Sequence, residues 1–166
     1  MNVLLELQRG STVDQAAILN QLARYAVALD DRDFDTIADL FTEDAQASFS
    51  GVRLPPGREA IVKHLRGLLN FAASTHLLGP SAIVVVDDQA TAQTPAVAFL
   101  YSDADARPSV RSRGIRYSDV FVRQPDAWRI AERVHRVQWM YESNGLPVHP
   151  SGPPSQTAPV SSRHAM

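Results

Sequence analysis

Tyr25-Ala26-Val27-Ala28-Leu29-Asp30-Asp31-Arg32-Asp33-Phe34 closes one amphipathic helix and opens the next. Upstream, Ile18, Leu22, Tyr25, Ala26 and Leu29 recur at helical spacing. Thr12-Val13-Asp14-Gln15 matches a capping box with Thr12 at the cap, so residues 13–30 are expected to be helical. Asp30 falls where that helix runs out. The C-terminal end of a helix carries partial negative charge, which disfavours a carboxylate and tends to raise its proton affinity. An acid so placed, if it faces an apolar cavity, is suited to act as a general base or to orient one. Downstream, Asp33 is expected to cap a short helix through Phe41, with Phe34, Ile37, Leu40 and Phe41 on its buried side.

Working outward, residues 45–50 read as a strand, and Gly51 to Gly57, with Pro55-Pro56, as a loop. A third helix follows, with Ile61, Leu65, Leu68 and Leu69 as its apolar stripe. From residue 75 the period becomes two or a continuous β-branched run, giving strands at about 75–87, 90–102, 110–124 and 127–140. Asp87-Asp88-Gln89 and Gln124-Pro125-Asp126 are the hairpin turns, and Ala104 to Ser109 is a longer polar connection. Long sequential strands with short turns imply a curved antiparallel sheet, and helices first with strands afterwards imply an α+β fold. One domain is expected over 12–141, with an N-terminal extension at 1–11 and a flexible Pro/Ser-rich tail at 142–166.

Composition narrows the function classes. With 45% hydrophobic and 20% charged residues, the 166-residue chain has the make-up of a globular domain. A net charge of −2 supplies no basic field, so nucleic acid is not expected as a partner. No apolar run is long enough to span a bilayer, Met1 to Leu7 does not read as a signal peptide, and a cytoplasmic location is the default expectation. Without cysteine, disulfides, thiol catalysis and thiolate-held zinc are excluded. His64, His76, His135, His149 and His164 are scattered without the short spacings of a metal site, so neither metal nor cofactor is expected.

The order of elements resembles the NTF2-like, or SnoaL-like, α+β cone superfamily. Three stretches carry the resemblance: Arg24-Tyr25 with Leu29 to Phe34 and Leu40-Phe41; Ser74-Thr75-His76-Leu77-Leu78-Gly79; and Tyr117 to Arg123 followed by Trp128-Arg129-Ile130 and Arg133. The superfamily includes scytalone dehydratase, bile-acid dehydratases, a hexachlorocyclohexane dehydrochlorinase, polyketide cyclases, ketosteroid isomerase and limonene epoxide hydrolase, as well as binding modules without activity. The dehydratase and dehydrochlorinase branch is the most similar. The resemblance implies Asp30 and His76 as the acid–base pair, Tyr25 as a third catalytic group, and Arg123 as a match to the dehydrochlorinase arginine. The pattern departs from scytalone dehydratase at Leu29, where that enzyme has Tyr, and at Arg111-Ser112-Arg113-Gly114, where a second His is missing. An acid that assists the His in the bile-acid enzymes falls near Phe99 and is also missing.

Such a pair can remove a proton beside a carbonyl and return it to a departing oxygen. Arg123 or Arg136 is expected to stabilise an anion, with Phe49 and Trp128 as further substrate contacts. Each residue also has a structural reading. Asp30 can be a turn residue, His76 a satisfied core histidine, Tyr25 core packing and Arg123 a solvated strand end. Asp119 reads as structural or as a subunit-pairing residue, and His64 and His135 as surface. The leading expectation is a lyase of dehydratase type, or a cyclase or isomerase, acting on a small apolar carbonyl compound such as a polyketide, terpenoid or steroid-like intermediate. The alternative is a non-catalytic small-molecule-binding or assembly module; epoxide hydrolysis is a third option. A homodimer or other homo-oligomer is expected from the open sheet.

Overall fold

The computed structural model describes residues 11–103 and 108–144; most of the expected tail, most of the N-terminal extension and most of the 104–109 connection lie outside them, while residues 142–144 of the expected tail continue the last strand. Helix α1 spans Thr12–Asp31. Its cap is Ser11, not Thr12: the Ser11 hydroxyl accepts from the Asp14 amide at 3.2 Å, and Thr12 is already helical. At the other end the chain turns through Arg32, left-handed at φ 60, whose amide and that of Asp33 close on the Ala28 and Leu29 carbonyls. Helix α2, Phe34–Asp39, is capped by Asp33, whose carboxylate accepts from the Thr36 amide at 2.9 Å. It is shorter than expected because Leu40 is already drawn into the sheet, its carbonyl accepting from the Ile130 amide. Strand β1, Phe41–Phe49, therefore starts four residues early, and a tight turn with positive φ at Ser50 and Gly51 leads to β2, Val52–Arg53. Helix α3, Arg58–Leu65, gives way to a 3-10 turn, Arg66–Asn70, which rotates Leu69 into solvent and off the expected stripe.

The sheet follows as β3 Ala73–Leu78, β4 Ala82–Val86, β5 Gln89–Ser102, β6 Ser109–Arg123 and β7 Trp128–Asn144. Its order is β2-β1-β7-β6-β5-β3, with β4 also on β5. The strand expected over 75–87 is two pieces on successive halves of β5, interrupted where the Gly79 amide bonds the Pro95 carbonyl at 2.8 Å. One pairing departs from the antiparallel expectation: β1 runs parallel to β7, because the intervening helices and strands return the chain to its starting edge. The fold is α+β, with helices packed on an open curved sheet.

On β5, Ala90, Ala92, Thr94, Ala96, Ala98 and Leu100 alternate inward, and the small side chains leave room above the sheet for α1 and for a hollow. Two bulges set the register of β7 against β6. One leaves Ala131 unpaired between the Phe121–Ile130 and Val120–Glu132 pairs; the other leaves Gln138 unpaired. Each adds one residue, so each exchanges inside for outside beyond it. Between the bulges, Arg133 and His135 face inward. Arg133 makes a two-pronged ion pair with Asp119, its cross-strand partner, at 2.7 and 2.8 Å, with both side chains fully buried. Its guanidinium also lies on the rings of Tyr25 and Tyr117, 4.0 and 4.6 Å from their centroids. Asp119 is therefore a tie within the chain. No helix among the described residues is long and apolar enough to cross a membrane.

Candidate active site

Asp30 and His76 meet. The last turn of α1 and the middle of β3 bring His76 Nδ1 to 2.7 Å from Asp30 Oδ1. The His76 backbone amide donates to Oδ2 at 2.8 Å, and the Ser74 hydroxyl donates to Oδ1 at 2.8 Å. Ser74 and His76 are two apart on one strand, so both side chains reach the same face. Arg32 completes the arrangement. Its guanidinium donates to the Leu29 carbonyl at 2.6 Å and to Ser74 Oγ at 2.6 Å. A cation thus covers carbonyls left open at the helix end, where the dipole alone would oppose Asp30. With Nδ1 on the carboxylate, the imidazole is a donor there, and Nε2 lies on the opposite side of the ring. Among the described residues nothing hydrogen-bonds to Nε2, and the His76 ring lines a cavity of about 390 Å3.

The cavity lies between the helices and the concave face of the sheet. Leu29, Phe49, Leu68, Phe71, Leu100 and Ile115 supply its apolar walls. Tyr25 and Tyr117 line it too, and burial pushes both phenols up, so they remain protonated donors. Phe49 is sandwiched between His64 and His135, 4.7 and 5.3 Å between ring centroids. Of the two expected at the surface, His64 is there and His135 is not. His135 is buried, and His64, exposed on one side, also borders the cavity. Burial, then the nearby Arg133 charge, pulls His135 down to about 4, and burial also lowers His64. His135 Nδ1 is buried without a hydrogen-bond partner.

The other expected site residues are elsewhere. Arg123 ends β6, about 20 Å along the strand from Tyr117. It bonds Asp14 at 2.7 Å and Asp88 at 2.9 Å and lies over the Trp128 ring. Trp128 is buried and donates to Asp14 at 3.1 Å. These two side chains fasten the start of α1 to the hairpins and do not line the cavity. Arg136 is exposed opposite Arg116, because the bulge at Ala131 hands the inward position to His135. The cavity's guanidinium is Arg113, which sequence reading passed over. It lies on the inward face of β6 with Ile115 and Tyr117, and burial, with Arg111 nearby, lowers its pKa. Ser74 and Arg32 were also missed as supports of the dyad; the Ser-x-His spacing on β3 was the available signal. Among the described residues no group of three or more His, Asp or Glu is placed to hold a metal ion.

A family model for the SnoaL-like domain matches residues 11–134, so the chain belongs to that family, and its fold is NTF2-like. It is similar to an uncharacterised protein of Mycobacterium tuberculosis, 33% identical over 123 residues, covering 73% of this chain and 83% of that one. Among solved structures it is similar to a scytalone dehydratase-like protein of Novosphingobium aromaticivorans, with a TM-score of 0.71 at 22% identity over 85% of this chain and 95% of that one. It is also similar to the hexachlorocyclohexane dehydrochlorinase of Novosphingobium barchaimii, with a TM-score of 0.68 at 14% identity over 86% of this chain and 100% of that one.

Proposed function

We propose that the protein is a cofactor-independent lyase, a dehydratase of small, largely apolar, β-hydroxy carbonyl compounds of the polyketide, terpenoid or steroid-like kind. The observation that carries this reading is the 2.7 Å Asp30–His76 contact beside a cavity of about 390 Å3, a size that takes a small metabolite. Two similar folds bear names of enzymes that perform eliminations, which supports the same class of step. His76 Nε2 removes the proton from the carbon next to the carbonyl, and the electron pair moves onto the carbonyl oxygen as an enolate. Asp30 stabilises the imidazolium and fixes its orientation. Tyr25, held protonated by burial, hydrogen-bonds the carbonyl oxygen. The imidazolium then gives its proton to the β-hydroxyl oxygen. That C–O bond breaks as the enolate collapses, leaving a conjugated double bond, water and neutral His76. Cyclisation or isomerisation would share the first step.

A panel of hydroxylated polyketide-like carbonyl compounds, assayed for loss of water, tests the proposal. His76→Ala is expected to abolish turnover while ligand binding persists. Asp30→Asn should lower kcat by roughly 10²- to 10⁴-fold, the range of general acid–base catalysis. Turnover by His76→Ala at the wild-type rate would sink the mechanism. Ligands that bind without reacting would instead favour a binding module.

A further inference from the structure

We propose that the substrate carries a carboxylate, and that Arg113 seats it across the cavity from His76. The inference rests on the site being where substrate binds. It does not depend on which reaction follows.

Arg113 differs from the other arginines on β6 and β7, of which Arg116 and Arg136 are exposed to solvent and the rest hold carboxylates. Arg111 holds Glu142, Arg123 holds Asp14 and Asp88, Arg129 holds Asp126, and Arg133 holds Asp119. Arg113 is half-buried, lines the cavity, and among the described residues pairs with no carboxylate; its Nε is buried and without a hydrogen-bond partner. A guanidinium partly withdrawn from water, with one buried N–H left unpaired, is completed by an anion from outside the chain. The cavity contains no competitor, since no acidic side chain is among the residues that line it. Arg133, Arg113 and His64 all disfavour a proton on His135, although burial is the larger cause.

The register supplies the geometry. His76, Ala98 and Arg113 are partners in one row across β3, β5 and β6. Two inter-strand steps separate His76 from Arg113 by about 10 Å. Between them stands Ala98, whose methyl leaves the space above the row open. A planar guanidinium binds a carboxylate through two parallel hydrogen bonds. The span places that carboxylate about a ring's width from the carbon that faces His76. The substrate class is thus a carbonyl compound that also carries a carboxylate, with a ring between the two, rather than a neutral one.

Near-isosteric probes test this without turnover. The wild-type chain is titrated with 1-naphthoate and with 1-naphthamide and followed by calorimetry. The acid is expected to bind ~10-fold or more tightly than the amide, the scale of one charge-assisted pair. Arg113→Gln should bring the two ligands within about twofold, and Arg113→Lys should restore part of the preference. Each variant is first checked for a cooperative thermal transition. Should Arg113→Gln fail to fold, the wild-type ratio and Arg113→Lys decide. Equal affinity for acid and amide in the wild type, or an undiminished preference in Arg113→Gln, overturns the proposal. His76→Ala should keep the preference. The anion site and the acid–base reading can therefore fail separately.

Discussion

The carboxylate of Asp30 receives the His76 imidazole, the His76 amide and the Ser74 hydroxyl, so its position is set by three donors on one strand. This pair was legible in the sequence because each member sits at a landmark: the end of a strongly periodic helix and the first β-like stretch after the third helix. Arg113 had no such landmark. Alternation along a strand gives two faces but does not say which is inside, and three arginines occur within six residues of β6, at Arg111, Arg113 and Arg116. His135 was misread for a related reason, and its burial has a measurable consequence. Its folded pKa, about 4, lies below the ordinary 6.5, so the folded state prefers the neutral ring. That contribution is complete above pH 6.5 and is lost as pH falls toward 4. Stability should therefore drop by on the order of 3 kcal/mol across this interval. Denaturant titrations at pH 7 and pH 4.5 measure it, and His135→Gln should flatten the slope. Asp14, held near 2 chiefly by Arg123, yields its contribution only in more acidic solution, so the two effects separate.

Among the elements, β5 decides whether there is a cavity at all. Its inward alanines were visible as a period of two, but their consequence was not. Small residues on a strand signal space only when the opposing layer is known to stand off from it, here because α1 is held away by Tyr25, Leu29 and the Arg133 guanidinium. Ala98→Leu should project a branched side chain into the row between His76 and Arg113. The chain is expected to fold with a loss of about 1–3 kcal/mol. Any ligand bound by the wild type should no longer bind, as equilibrium dialysis or calorimetry would show. Retained affinity would mean that ligands enter elsewhere. The split between β3 and β4 illustrates a different limit. Gly79-Pro80 is a local break signal, but the β-branched run on its far side reads as one strand with the near side; the Gly79 amide bonds the Pro95 carbonyl where the two pieces part.

Across the whole molecule, the Asp119–Arg133 pair joins β6, β7 and α1, since the guanidinium stacks on Tyr25 while both carboxylate oxygens receive its N–H groups. Asp119→Ala would leave a buried cation without a counter-charge, and urea denaturation should report a loss of about 3–5 kcal/mol. A change below 1 kcal/mol would show that the pair is dispensable. The α+β class and the element order were readable because helix and strand periods do not overlap along this chain. The parallel β1–β7 pairing and the two bulges were not, because register is negotiated between strands. The unpaired Ala131 has a further consequence for how such a gene can change. Removing that single codon would leave Ile130, Glu132 and Arg133 in unbroken alternation, paired with Phe121, Val120 and Asp119 as before, so that Arg133 and His135 still face the lumen. Lineages descending from this protein should accordingly tolerate a one-residue shortening at that point of the last strand, which removes a local kink and no lumen side chain.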